Sequence, residues 1–149
     1  MIIALGSDHR GYKLKEVIKK YLKYKGYKVI DVGTSSSESV DYPVYIFRAS
    51  NLVRQKKAQR AIVICKTGIG SAITANKVKG IRAGLVHNLK GARFSRLHND
   101  TNVLVMGADF VKPVLAKKMV SLWLKTPFEG GRHKRRINQI KKVEAGYGL

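Results

Sequence analysis

Short apolar runs rich in β-branched residues alternate with segments of helical periodicity along nearly the whole of this chain. That alternation is its strongest constraint, because parallel strands buried on both faces need a helix to carry the chain back between them. Ile2 to Gly6 reads as a strand. Leu14, Val17, Ile18, Tyr21 and Leu22 then recur at helical spacing, with Lys13, Lys15, Lys19, Lys20 and Lys23 mostly on the opposite face. Gly26 closes that helix, and Tyr27 to Val32 forms a second strand. A polar loop from Gly33 to Asp41 leads through Tyr42-Pro43 into a helix ending near Lys57. Further strands are expected up to Cys65, over Ile81 to Val86 and over Asn102 to Met106. Helices are expected after Gly70, over about Leu89 to Leu97, and from Val111 to Leu124. A last basic helix from Arg132 to about Val143 has little apolar periodicity beyond Ile137 and Ile140, which suits packing on a partner subunit. Five βα units with short connections predict one domain over residues 1–149. Its expected architecture is a three-layer α/β/α, Rossmann-like, doubly wound sheet of five parallel strands with an extra C-terminal helix.

Ligands of such sheets bind beyond the carboxyl ends of the strands. The loops expected there are Ser7-Asp8-His9, Gly33-Thr34, Cys65 to Gly70, His87-Asn88 and Gly107 to Asp109. The segment "CKTGIGSAITANK" holds the chain's one cysteine, at the end of the apolar run Ala61-Ile62-Val63-Ile64. Thr67-Gly68-Ile69-Gly70 then turns into a helix N-terminus, where free backbone N–H groups and the helix dipole favour an anion. Such a setting favours the thiolate. Pattern alone leaves Cys65 open as a nucleophile, a redox sensor, a base or a small core residue. A base would suit a sugar phosphate, whose enediolate oxygen fits such a cradle.

"GSDHRG" has Asp and His where a dinucleotide fingerprint needs glycine, and "CKTGIGSA" lacks the phosphate-loop spacing G-x-x-x-x-G-K. One Cys and scattered His make no metal-ligand spacing, so metal-free chemistry without a cofactor is expected. His9 shares a strand-end loop with Asp8, whereas His98 in "RLHNDTN" has no such positional support, and His133 sits among arginines and reads as solvated. Arg132 and Arg136 follow Gly130-Gly131 one helical turn apart; they suit a phosphate, or simply a charged solvated face.

The 149 residues carry 30 Lys and Arg against 9 Asp and Glu, a formal charge of +21. That excess would suit nucleic acid or a substrate rich in negative charge. It is spread evenly, however, with 14 basic against 5 acidic residues up to position 75 and 16 against 4 beyond. No basic tail or aromatic-studded strand accompanies it, so a solvated Lys-rich surface is the simpler reading and nucleic acid is not the expected partner. No apolar run approaches the ~18 residues of a membrane span. A single cysteine makes no internal disulfide, and a cytoplasmic chain is expected.

Taken together, "GSDHRGYKLK", "DYP", "CKTGIG…ANK", "GIRAGL", "HNDTNVL" and "PFEGGRHKRRI" resemble the ribose-5-phosphate isomerase B family, in family order from residue 6 to residue 137. The resemblance implies an aldose–ketose isomerase that interconverts ribose 5-phosphate and ribulose 5-phosphate without metal or nucleotide. It implies Cys65 as the base, Thr67 as its support, and the N–H groups of residues 66 to 70, including Lys66, Gly68, Ile69 and Gly70, as the enediolate cradle. His98 would help open the sugar ring, Asp8 and Asn99 would contact hydroxyls, and His9, Arg132 and Arg136 would bind phosphate. Family members form homodimers, often a dimer of dimers, whose sites draw on both chains, so that His98 and Asn99 would serve the neighbour. Lys66 replaces the family's usual glycine and Asp109 its common phosphate-contacting arginine. An isomerase of a six-carbon sugar phosphate and a basic nucleic-acid-binding module are the alternatives.

Overall fold

The computed structural model describes residues 1–148; Leu149, the last residue of the expected domain, lies outside the described residues. Strands β1 (Ile2–Ser7), β2 (Lys28–Asp31), β3 (Arg60–Cys65), β4 (Ala83–Leu85) and β5 (Val103–Gly107) alternate with helices α1 (Tyr12–Tyr24), α2 (Tyr42–Arg54), α3 (Ile69–Asn76), α4 (Leu89–Leu97) and α5 (Pro113–Lys125), and α6 (Gly131–Glu144) follows. All pairings are parallel, in the order β2-β1-β3-β5-β4. The chain moves outward from β1 to β2, then crosses back to β3 on the other side of β1. The boundary between β1 and β3 is therefore the switch point at which such sheets bind ligands.

The central strands alternate their side chains between two cores. Ile3, Leu5, Ile62, Ile64, Leu104 and Met106 face α1, α4 and α5, where Leu14, Ile18, Leu22, Ala92, Met119 and Trp123 cover them. Ala4, Ala61, Val63, Val103 and Val105 face α2 and α3, meeting Ile46, Ala49 and Ala75. The smaller residues on the second face let those two helices approach the sheet closely.

Three local readings change. The fourth strand is shorter than the expected span from Ile81 to Val86, because the Ile81 N–H bonds back to the Val78 carbonyl and the Arg82 N–H is taken by the Asn102 side chain. Helix α2 stops at Arg54 because Lys56 adopts a left-handed φ of 59°. Lys15, expected among the solvated lysines, is 1% exposed. Its Nζ lies 2.7 Å from Glu16 and 2.5 Å from Asp31, and Lys19 bridges the same two carboxylates at 2.5 and 2.8 Å. Burial opposes the Lys19 charge, but Asp31 and Glu16 outweigh it and push the ammonium up to about 12. Burial likewise opposes ionisation of Glu16, and the two lysines overcome it and hold the carboxyl below its ordinary range. This four-charge knot ties the end of β2 to α1.

Removing one member of a buried pair strands its partner, whereas an apolar isostere does not. Asp31→Asn should therefore lower unfolding free energy by about 2–4 kcal/mol and Lys15→Met by less than about 1 kcal/mol, read by urea denaturation. Equal losses from both would show that the knot does not hold Lys15 in place.

Candidate active site

The carboxyl ends of β1, β3 and β5 form the floor of one crevice. After β1 the chain turns sharply, and Asp8, buried, accepts the Gly11 N–H at 2.8 Å to cap the start of α1. One carboxylate oxygen is thus structural. His9 Nδ1 accepts the Val40 N–H at 3.1 Å, which pins the polar 33–41 loop over the β1 end and leaves the other ring nitrogen outside that bond.

Cys65 ends β3 opposite Gly107 of β5 and is 4% exposed. Its Sγ accepts the Gly68 N–H at 3.2 Å, and Thr67 Oγ1 accepts the Ile69 N–H at 3.3 Å. Two of the five N–H groups expected to form the anion cradle are therefore engaged by this chain's own side chains. Gly68 sits at φ 83°, and a side chain there would collide with Leu85 as well as being strained. A Cβ at Gly70 would stand 2.5 Å from the Tyr42 ring, which overhangs the first turn of α3. Tyr42 was not among the expected site residues; its signal was the need for glycine at position 70 together with the Asp-Tyr-Pro turn. Lys66 and Asp109 are both exposed at the rim, and the Asp109 N–H bonds to the Lys66 carbonyl at 3.1 Å.

A second group of the expected residues lies elsewhere. His98 follows α4, and its ring stacks on His133 at 4.1 Å and 8° and on Phe94 at 4.7 Å. His133, expected to be solvated, is 4% exposed. Burial first, then His98 and the nearby Arg132 and Arg136, hold its imidazole below the ordinary histidine range against the opposing pull of Glu129. The Glu129 N–H bonds to the Leu97 carbonyl, fixing the start of α6 against the end of α4. His98, Glu129 and His133 bring their donor atoms within 4.8 Å of one another, a set that sequence spacing hid because 31 residues separate the first two. Arg132 and Arg136 are exposed one turn apart on α6. Asn99 is exposed, while Asp100, at φ 45°, bonds Arg82 at 2.8 Å and Arg96 at 2.7 Å. Asp100 thereby clamps the turn that presents His98 and Asn99, a positioning role the sequence reading missed.

The two groups stand at opposite ends of the sheet. The Ala61 N–H bonds to the Asn102 carbonyl at the start of β3, and His98 precedes that level, whereas Cys65 lies four residues further on, about 13 Å along the strand. Asp8, His9 and residues 65–70 come together within one chain; His98, Asn99, Arg132 and Arg136 gather away from them.

Against this geometry, residues 3–140 match the model of a family described as Ribose/Galactose Isomerase. The chain is 44% identical over 145 residues to a putative sugar phosphate isomerase of Bacillus subtilis, covering 97% of both chains. It is 45% identical over 142 residues to ribose-5-phosphate isomerase B of Escherichia coli, covering 95% of each. Among solved structures, ribose-5-phosphate isomerase B of Clostridium thermocellum superposes with a TM-score of 0.97 at 48% identity, over 99% of this chain and 100% of that one. The Mycoplasma genitalium enzyme, solved with bound ribulose-5-phosphate, superposes at 0.93 and 40% identity over 97% and 96%. The expected sheet, the thiol at its switch point and the matched span from end to end have one reading: the chain belongs to the ribose/galactose isomerase family.

Proposed function

We infer that this protein interconverts ribose 5-phosphate and ribulose 5-phosphate, a step of pentose phosphate metabolism, with Cys65 as the base. The observation that carries the reading is a nearly buried thiol at the switch point, within 3.2 Å of a backbone N–H that opens a helix. The Cys65 thiolate removes the C2 proton of the open-chain aldose and the electron pair forms the C1–C2 double bond of an enediolate. Return of that proton to C1 and transfer of the C2 hydroxyl proton to O1 give the ketose. C1 is reduced as C2 is oxidised, so no external redox partner is needed. The N–H groups around Thr67 and Gly70 stabilise the enediolate oxygen, with Gly68 and Ile69 joining once the thiol and Thr67 turn to substrate. Asp8 contacts a hydroxyl through the carboxylate oxygen not used as the α1 cap.

The phosphate is held by Arg132 and Arg136, with His9, and the sugar ring is opened by His98 beside Asn99. His9 lies at the Cys65 end, but the single chain keeps His98, Asn99, Arg132 and Arg136 about a strand length from Cys65, so the proposed site is shared between two copies. Each chain then contributes its thiol end to one site and its α6 arginines to the other, as a homodimer or a dimer of dimers. Cyclic two-fold symmetry makes two such sites per pair. Among the described residues no helix is long and apolar enough to cross a membrane. The proposed compartment is the cytoplasm, where a lone catalytic thiol stays reduced.

Cys65→Ala should lower kcat by roughly 10²–10⁴ with the fold intact, measured by coupled assay of ribose 5-phosphate and by circular dichroism. Wild-type turnover by that variant would end the assignment. Arg132→Ala or Arg136→Ala should weaken substrate binding by ~1–3 kcal/mol, and free phosphate should lose inhibition in parallel. A change confined to melting temperature would make the pair a solvated face.

Sharing has its own test. Cys65→Ala and His98→Asn chains, each inactive alone, should regain about a quarter of wild-type activity after being unfolded and refolded as an equal mixture, since half the pairs then carry one intact site of two. A mixture as inactive as its parents would overturn the shared site.

A further inference from the structure

His98, Glu129 and His133 have the chemistry of a metal-ligand set. The two Nε2 atoms stand 3.9 and 4.0 Å from the two oxygens of the same Glu129 carboxylate, too far for hydrogen bonds. His133 Nε2 is fully buried and has no hydrogen-bond partner, an uncommon state for a buried ring nitrogen. It aims at the carboxylate but does not reach it.

We propose that His98, Glu129 and His133 bind a divalent first-row transition ion, such as Zn²⁺, Co²⁺ or Ni²⁺, through two Nε2 atoms and a carboxylate oxygen. Bonds of about 2.0–2.2 Å in tetrahedral geometry place ligand atoms roughly 3.4 Å apart. The His98 and His133 rings are stacked nearly parallel, at 4.1 Å and 8°, so closing the cluster requires His98 to turn off that stack until both in-plane lone pairs meet at the ion. Glu129, 52% exposed, is free to turn and buried His133 supplies the fixed point, while His98, 35% exposed, gives up its stacking on His133 and Phe94 to join them. Imidazole ligands select these ions over Mg²⁺ and Ca²⁺. Three protein ligands leave a fourth position for water or a phosphate oxygen. Arg132 and Arg136 are the nearby opposing charges, and Glu129 is the one anionic ligand. The ion would be inhibitory, because it withdraws His98 from the sugar ring. That consequence rests on the role proposed above for His98, whereas ion binding itself does not.

The test uses the full chain carrying Cys65→Ala, which removes the thiol as a competing ligand and reads binding rather than turnover. Titration with Co²⁺, followed by visible absorption, and with Zn²⁺, followed by calorimetry, should show one ion per chain. Adding Glu129→Gln should weaken binding at least ~10-fold, and adding His133→Asn should abolish it. The Glu129 variant decides the matter even where His133→Asn fails to fold, since the Glu129 side chain is half exposed. No saturable binding, or binding unchanged by Glu129→Gln, would overturn the site. In the wild-type enzyme Zn²⁺ should inhibit in competition with ribose 5-phosphate, and Glu129→Gln should relieve that inhibition, which separates it from zinc held by the Cys65 thiol. Saturable binding without inhibition would keep the metal site and overturn the role given to His98.

Discussion

All five strands run in one direction, and much of the molecule follows from that. Each strand delivers its following loop to the same edge of the sheet, and each helix returns the chain to the opposite edge. The Asp8, Cys65 and Gly107 loops are βα loops and gather at the first edge. His98 ends a returning helix and must lie at the second. No side chain bridges the distance, about 13 Å along the central strands. A chemistry that uses both ends therefore requires a second copy, and the fold itself sets that requirement.

At the crevice the sequence gives up side-chain volume to bring backbone close. Gly68 takes a left-handed turn under Leu85, and Gly70 clears the Tyr42 ring, so that the first turn of α3 stands directly beyond the thiol. A sulfur at the end of a buried strand accepts a backbone N–H without the desolvation penalty a carboxylate would meet there. Burial and the adjacent N–H groups then act together: water is kept off the thiol while the helix start remains open to an anion.

The sheet was legible because β1, β3 and β5 are continuous buried runs whose glycine and helix punctuation is local. What was lost depends on contacts between distant segments. The fourth strand lies at an edge and yields its ends to turns held by Asn102. Lys15 has a solvated helix neighbourhood in sequence, yet Asp31 from the next strand draws it inside. His133 sits between arginines in sequence, yet it is buried, with its ring stacked on that of His98. Cys65 and its loop were read correctly as a strand end turning into a helix, but not that two of the loop's N–H groups are already occupied. Asp100 was passed over because its partners Arg82 and Arg96 come from two different elements.

The net charge of +21 does not by itself supply attraction at the thiol. At the crevice rim the exposed Lys66 is joined through the backbone to the equally exposed Asp109, so this part of the rim carries one charge of each sign. Where the family resemblance expects glycine and arginine, this chain carries lysine and aspartate, which leaves the rim with less positive charge than that pattern would give. Exposed cations stand on α6, where Arg132 and Arg136 flank a histidine whose own charge burial suppresses, and also at the β1 end, where Arg10 and Lys13 stand beside His9. In the function proposed above, the phosphate of a dianionic substrate would be held by the α6 arginines while its sugar reaches toward the thiol of the other chain. The proposed pairing of two chains is a geometric requirement: the α6 arginines lie about a strand length from the thiol of their own chain, so another chain's α6 would have to bring them to it.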